Sequence, residues 1–307
     1  MSGPLSLRFS VQAQTDVRRI TSELGRLQAQ MASGAKASDL QGFGGASSRL
    51  LSAQSLKSSA DAKSSVISQL QARFGVQGAA LGQVADAAGS LALSIREAIS
   101  ANDGRGIATE LDLSFTSVVS ALNETWNGQP MFAGERQGAG PIRVTSLGEL
   151  QDATGPEAIF DEATRNQTID LGAGAPVVLS LKASELSTGL FDTLRAMADM
   201  LEASGGTIGQ PITGTQRDQL VMFADALEEE ANHFTNEQGR AGQLQNRFET
   251  ELVRLEERSN LITKEIGDQA DADPAEISIK ISTLLVQYEA AAKTFADLSR
   301  LTLLDYL

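Results

Sequence analysis

The sequence predicts a mainly α fold: a long antiparallel helical bundle or coiled coil formed by both chain ends, with a small β-rich insertion domain. Apolar residues recur at alternating spacings of three and four near both ends. Residues 46–101 and 214–267 lack strong helix breakers, whereas the middle of the chain is rich in Gly, Pro and Thr. An antiparallel fold-back would bury the apolar faces of both ends together.

The first helix is expected over residues 10–33, and Gly34 is placed to end it. Its apolar residues step by three and four and so share one narrow face. Residues 35–45 are polar and rich in glycine, which indicates a loop. The predicted contact face of this helix comprises Val17, Ile20, Leu24, Leu27 and Met31.

A long helix is expected from residue 46 to residue 101, followed by a turn at 102–104 and a helix at 107–125. A run this long without a breaker is typical of a coiled coil or an extended bundle. Its second half has an apolar face of its own, which favours packing inside the same chain. This face comprises Phe74, Gln77, Leu81, Val84, Ala88, Leu91 and Ile95.

The insertion is expected to begin where the composition changes, at residues 127–130, and to extend to about residue 184. Residues 164–171 and 175–181 are β-type segments on either side of the Gly-rich stretch 172–174, which predicts a β-hairpin. A segment of this size supports only a small core, so it should pack against the helices.

Helices follow at 190–203 and 214–267, and then a charged connector precedes Pro274, which suits the first turn of a terminal helix. That helix repeats apolar or small residues every four and three positions: Ile277, Ile281, Leu284, Tyr288, Ala291, Phe295, Leu298 and Thr302. Since no other part of the chain remains to cover the two terminal faces, we expect contacts with other subunits. The predicted interface on this helix also includes Leu301, Leu304 and Leu307.

These elements predict three parts. Residues 1–40 and 272–307 would be terminal assembly helices, and residues 41–134 and 186–271 a helical core domain. Residues 135–185 would form the β-rich outer domain.

Composition argues against several classes of partner. The chain has 25 Lys and Arg against 39 Asp and Glu, a formal net charge of −14, so neither nucleic acid nor an anionic membrane surface is expected to bind. No apolar run has the length of a membrane span. The N-terminus lacks the apolar segment of a secretory signal peptide, so export would need a dedicated machine.

No catalytic, cofactor-binding or metal-binding residues are predicted. The chain has no cysteine, and its one histidine, His233, lies in an acidic helical stretch without a partner for zinc or triad chemistry. Asp268, Asp271 and Asp273 lack the spacing of a calcium loop and suit helix capping. The glycines at 42–45 fit a flexible turn, because neither a preceding strand nor a following Lys and Ser/Thr pair makes them a nucleotide loop.

Several segments resemble the flagellin superfamily, and within it the hook-associated protein 3 group. At the C-terminal end, residues 271–277 (DADPAEI) and 283–291 (TLLVQYEAA) are similar to the closing segment of the family. Residues 301–307 (LTLLDYL) are similar to the C-terminal end of the hook-associated protein 3 group. Residues 27–36 (LQAQMASGAK) and 123–134 (NETWNGQPMFAG) resemble family segments further upstream. The chain departs from the family at 39–46, where DLQGFGGA replaces an Asp-Asp-Pro-Ala-Gly run.

This resemblance implies a non-enzymatic structural subunit of the bacterial flagellum that acts as the hook–filament junction. Its termini would be unfolded before assembly and would then form an inner tube of coiled helices. The implied partners are further copies of the chain in a helical homo-oligomer, flagellin, the hook-side junction protein and an export chaperone. The implied location is extracellular, after export through the hollow flagellum.

Three alternatives remain open from the sequence. A filament flagellin would share the terminal helices but polymerise without limit. A secreted adhesin or enzyme would need a ligand site in the insertion, and a coiled-coil scaffold unrelated to motility would have ordered ends without a polymer.

Overall fold

The computed structural model describes residues 3–171 and 176–304 and confirms the mainly α fold. Its β-structure is limited to short strands of two to four residues. The helices, in chain order, are α1 (Gly3–Ser33), α2 (Ser47–Ala101), α3 (Ile107–Leu122), α4 (Leu147–Asp152), α5 (Pro156–Ile159), α6 (Ala183–Ala203), α7 (Gly214–Ala270) and α8 (Pro274–Leu304). The strands are β1 (Thr125–Trp126), β2 (Gln129–Pro130), β3 (Gln167–Ile169) and β4 (Val177–Ser180), and a 3₁₀ turn spans Gly44–Ala46.

The chain forms two compact units. Unit 1 comprises Met1–Ser64 and Val253–Leu307, and unit 2 comprises Ser65–Leu252. Both boundaries fall inside the long helices α2 and α7. This division differs from the predicted three parts, because the insertion belongs to unit 2 and the first turns of α2 belong to unit 1.

Unit 2 contains a continuous apolar core built by α2, α3, α6 and α7. At its centre, the ring of Phe191 meets the ring of Phe115 at 6.3 Å and that of Phe160 at 5.6 Å, both nearly edge to face. Such pairs add to the free energy gained by burying the rings. Helices α2 and α7 run antiparallel, because Phe74 contacts Phe248 while residues later in α2 contact residues earlier in α7.

The predicted hairpin forms, with β3 antiparallel to β4 and Ile169 opposite Val177. A second hairpin joins β1 to β2 through Asn127 and Gly128, whose φ angles are 51° and 76°. Two consecutive positive φ angles give the turn that matches strand twist, and Asn-Gly is its preferred sequence.

The insertion also contains helices α4 and α5, which the sequence did not predict. Ser146 caps α4 by accepting a hydrogen bond from the backbone N–H of Glu149 at 3.2 Å. Helix α6 begins at Ala183, earlier than the predicted residue 190, and α3 ends at Leu122, before the predicted residue 125.

Unit 1 pairs the two ends of the chain. Helix α1 packs along α8, and the C-terminal end of α1 lies beside the N-terminal end of α8, so the two helices are antiparallel. The adjoining ends of α2 and α7 also meet, since the Ser259 hydroxyl donates to the Asp61 carboxylate at 2.9 Å.

Candidate assembly interface

The predicted face of α1 is only partly covered in the single chain. Ile20 and Leu27 are buried, with 4% and 2% of their surface exposed. Val17 and Leu24 are half-buried, whereas Met31 at the C-terminal end of α1 is 43% exposed. The burial therefore follows the predicted spacing from Val17 to Leu27 and does not include Met31.

The predicted face of α8 is also only partly covered. Ile277 is buried, Ile281, Leu284 and Ala291 are half-buried, and Tyr288 is 39% exposed. The structure thus brings the first predicted positions of α8 against α1. The side chains of the remaining predicted positions lie outside the described residues: Phe295, Leu298, Leu301, Thr302, Leu304 and Leu307.

The start of α8 is fixed by a local cap. The Asp273 carboxylate accepts from the backbone N–H groups of Ala275 at 2.8 Å and Glu276 at 3.3 Å. Pro274 occupies the first helical position, where its missing N–H leaves no bond unmade. These contacts satisfy donors that have no partner inside the helix.

Two backbone segments tie the end of α1 to the connection between α7 and α8; we call residues 34–36 and 270–272 the clasp. The N–H of Ala272 donates to the carbonyl of Gly34 at 2.9 Å, and the N–H of Lys36 donates to the carbonyl of Ala270 at 2.8 Å. Gly34 has a φ of +69°, a left-handed conformation that ends a helix and suits glycine. The clasp therefore sets the ends of α1 and α8 side by side.

Charged groups border the α1–α8 contact. Arg26 donates to the Glu23 carboxylate, and this hydrogen bond lowers the pKa of Glu23. The positive charge of Lys280 on α8 lowers the same pKa further, and Lys280 itself pairs with Glu276 at 2.6 Å. Glu23 and Lys280 thus lie on the edges of α1 and α8 that approach each other.

A second apolar surface lies on the other side of α8. Ile279 and Val286 are 68% and 67% exposed, and they are seven residues apart, about two helical turns. Their direction is opposite to that of Ile277, Ile281 and Leu284, which face α1. We call Ile279 and Val286 the outer face of α8. The signal in the sequence was this spacing of seven residues, and a search for one apolar face missed it.

The core of unit 1 is thin. Where side chains are described, the fully buried apolar residues of unit 1 are Ile20, Leu27, Leu50, Ala60, Leu255 and Ile277. Large exposed apolar residues occur on three of its helices besides α8: Val11, Met31, Leu51, Leu56, Val253 and Leu261. A helix with apolar residues on opposite sides needs cover on both sides. Unit 1 thus presents apolar surface suited to contacts with further chains.

The histidine and aspartates weighed as chemical groups in the sequence lie on helix α7 or in the connection between α7 and α8. His233 is exposed on α7, and its ring lies 5.7 Å from that of Phe234. Asp273 caps α8, and the Asp39 carboxylate accepts from the N–H of Gly42 in the loop after α1. In the described ranges, no three His, Cys, Asp or Glu side chains are grouped to hold a metal ion. Among the same residues, every helix is too short or too polar to cross a membrane.

Comparison with protein families gives one match at the C-terminal end. Residues 224–307 match the model of the bacterial flagellin C-terminal helical region. The matched segment includes most of α7 and all of α8, and so contains every predicted interface residue from Ile277 onwards but none of those on α1. A comparison with curated protein sequences gives no significant match.

Solved structures share the fold across most of the chain. A Vibrio parahaemolyticus protein assigned as a flagellar hook-associated protein aligns with a TM-score of 0.57 at 17% identity, over 76% of this chain and 99% of that one. FlgL from Bacillus cereus aligns with a TM-score of 0.52 at 13% identity, over 70% of this chain and 97% of its own. The resemblance predicted from the sequence is confirmed: residues 224–307 are similar to the flagellin C-terminal helical region, and the chain shares its fold with these two solved structures.

Proposed function

We propose that the chain is a structural subunit of the bacterial flagellum that serves as an adaptor at the hook–filament junction. The observation that carries the proposal is the uncovered apolar surface of unit 1, above all the outer face of α8. Burial of each such side chain contributes about 1.5–3 kcal/mol, so neighbouring chains would stabilise what one chain leaves exposed. The flagellin match and the two solved relatives support the flagellar setting.

The proposal includes a division of labour along the chain. Residues 1–40 and 272–307 would make the contacts of assembly, residues 41–134 and 186–271 would form the helical core, and residues 135–185 would lie on the outside. The boundaries of the two compact units differ from this division, so the proposed parts describe contacts made in the assembly.

The proposed partners follow from the junction role. Copies of this chain would form a helical homo-oligomer, with the hook-side junction protein on one side and flagellin on the other. An export chaperone would hold the terminal segments before secretion, and the assembled protein would be extracellular. No chemistry is assigned to the chain, so we propose that it is not an enzyme.

The outer face of α8 provides the test. The double variant Ile279→Ser/Val286→Ser removes two exposed side chains, so the folded monomer should keep its circular dichroism spectrum and its unfolding transition. Assembly onto isolated hooks, seen by electron microscopy, should be lost. The matched control is Leu93→Ser/Leu113→Ser, which removes two similarly exposed residues of unit 2, at 57% and 59% exposure. Normal assembly of the α8 variant would contradict the proposed interface.

The junction role needs a separate measurement. Purified full-length protein is incubated with hook fragments, with flagellar filament fragments and alone, and each product is imaged by electron microscopy. A junction protein should add a short, limited layer to hook ends only. Long filaments that grow from the protein alone would instead identify a filament flagellin, and no addition to either fragment would contradict a flagellar role.

A further inference from the structure

At the C-terminal end of α7, most of the free backbone carbonyls accept hydrogen bonds from one residue, Lys36, which follows α1. The last four carbonyls of a helix have no partner inside it. In α7, the carbonyl of Gly267 accepts from the N–H of Asp271 at 2.8 Å, and that of Ala270 accepts from the N–H of Lys36 at 2.8 Å. The other two carbonyls, of Asp268 and Gln269, accept from the Lys36 Nζ at 2.7 and 3.3 Å.

Lys36 therefore satisfies three of the four terminal carbonyls of α7. Its ammonium group also places a positive charge where the helix dipole is negative, which adds to the attraction. The same residue is held from the side of α1, because the side-chain amide of Gln30 donates to the Lys36 carbonyl. Lys36 thus connects α1, the loop that follows α1, and the end of α7.

We propose that the clasp is a conformational device, with Lys36 as its positioning residue, that controls whether α1 and α8 pair. When the clasp is closed, α1 and α8 start side by side in the observed register. When it is open, the pair is held only by the packing of α1 against α8, which is thin, and a helix in water is marginal without packing. The proposal gives a mechanism to the proposed assembly role and rests on that role only for its biological meaning.

The first experiment measures the pairing in the full-length monomer by amide hydrogen exchange. Lys36→Met keeps the aliphatic stem and removes the ammonium, and it should raise exchange in the last turns of α1 and the first turns of α8 about tenfold. Lys36→Arg can still donate to the carbonyls and should restore exchange to within about twofold of the parent. The matched control is Lys57→Met, which breaks only an exposed pair with Asp61 in the same unit.

The second experiment measures clasp closure directly. Ala35 and Asp271 are partners in an isolated antiparallel bridge, a geometry whose Cα separation suits a disulfide. The chain has no cysteine, so the double variant Ala35→Cys/Asp271→Cys offers a single thiol pair. Oxidation by glutathione disulfide forms the S–S bond and reduces the oxidant to glutathione. If the clasp is mostly open in the monomer, adding Lys36→Met should lower the rate of disulfide formation about tenfold.

Hydrogen exchange detects the effect of Lys36 when the clasp is mostly closed, and the rate of disulfide formation detects it when the clasp is mostly open. Lys36→Met must change exchange or the rate of disulfide formation, and Lys36→Arg must reverse the change. No change in either measurement, or an equal effect of both substitutions, would overturn the proposal. Formation of the bond should also protect α1 and α8 from exchange in the Lys36→Met background. Since these measurements use the monomer, they can succeed even if the protein fails to join a flagellum.

Discussion

Asn102 ends α2 with a left-handed backbone and a side chain that accepts two hydrogen bonds. Its φ is 54°, a region where Asn is among the tolerated residues. Its Oδ1 accepts from the N–H of Ile212 at 3.2 Å and from the guanidinium of Arg217 at 2.9 Å. Arg217 also donates to the carbonyl of Ile99 at 3.0 Å, near the end of α2. One residue therefore joins the turn after α2 to the start of α7.

Replacing Asn102 should destabilise unit 2. Asn102→Ala loses both hydrogen bonds and places Ala in a left-handed conformation, and we expect a loss of about 2–3 kcal/mol in the free energy of unfolding. The control is Asn127→Ala at φ 51°, where no described hydrogen bond involves the side chain. It should cost about 1 kcal/mol. Urea unfolding followed by circular dichroism measures both, and equal losses would contradict a role for the side-chain bonds.

Glu230 is a half-buried carboxylate on α7 that packs over Gly189 of α6. Its Oε1 lies 2.2 Å from the place a Cβ on residue 189 would occupy, so the glycine leaves room for the carboxylate. Burial raises the pKa of Glu230 above 4.5, the charge of Glu229 raises it slightly, and His233 opposes the shift. The folded state therefore binds this proton more tightly than the unfolded state does.

This shift predicts a pH dependence of stability. Below pH 4.5 the carboxyl is protonated in both states, and as pH rises through the raised pKa the folded protein loses stability. Glu230→Gln should therefore stabilise unit 2 at pH 7 and have little effect on its stability near pH 4. Glu229→Gln, which is exposed, is the control of equal charge. Urea unfolding midpoints of the parent and the two variants, measured from pH 4 to pH 7, test this prediction. If Glu230→Gln still stabilises the protein at pH 4, the stabilisation has another cause.

At the scale of one helix, the cap of α8 links local sequence to the candidate interface. Asp273→Ala removes the acceptor for two N–H groups and should weaken the first turn of α8 by about 1 kcal/mol. Asp273→Asn retains an acceptor and should retain most of the stability. Amide exchange at residues 275–278 measures the effect. If the amides of residues 275–278 exchange at the same rate in the Asp273→Ala and Asp273→Asn variants, the cap contributes little to the stability of α8.

Helix boundaries show what the sequence could predict. Helix α2 was expected from residue 46 and begins at Ser47, because a long run without Gly or Pro clusters leaves little ambiguity. The first turns of α6 were missed, since the helix was predicted from residue 190 and begins at Ala183. In the fold, the hydroxyls of Ser187 and Thr188 donate to carbonyls four residues earlier, and Ser184 donates to Glu162. Such tertiary and back-bonded contacts are invisible to a propensity argument.

The candidate interface divides in the same way. The contact between α1 and α8 was predictable, because Ile20 and Leu27 of α1 and Ile277 of α8 follow the spacing of two packed helices. The outer face of α8 was missed, since its two large apolar residues, Ile279 and Val286, are seven positions apart and form no continuous row of large apolar residues. The clasp was also beyond the sequence, because Lys36 and Asp268 are 232 residues apart along the chain.

For the whole molecule, the unequal cores of the two units predict stepwise unfolding. Unit 2 buries a large apolar cluster, with Trp126, the only tryptophan, packed against it. Unit 1 buries few apolar side chains among those described. On heating, the full-length monomer should lose part of its helical signal first, while Trp126 fluorescence changes only in a later step, because local stability follows buried apolar contact.

Removal of residues 277–307 tests this separation together with the assembly role. The truncated chain loses nearly all of α8, so the early loss of helical signal should become smaller while the Trp126 transition shifts by no more than a few degrees. It should remain a folded monomer and should not join hook ends. The full-length Ile279→Ser/Val286→Ser variant is the comparison, since it should keep the early step and still fail to assemble. A truncated chain that joins hooks would contradict assembly through α8, and one whose Trp126 transition is lost would show that unit 2 depends on α8 for its stability.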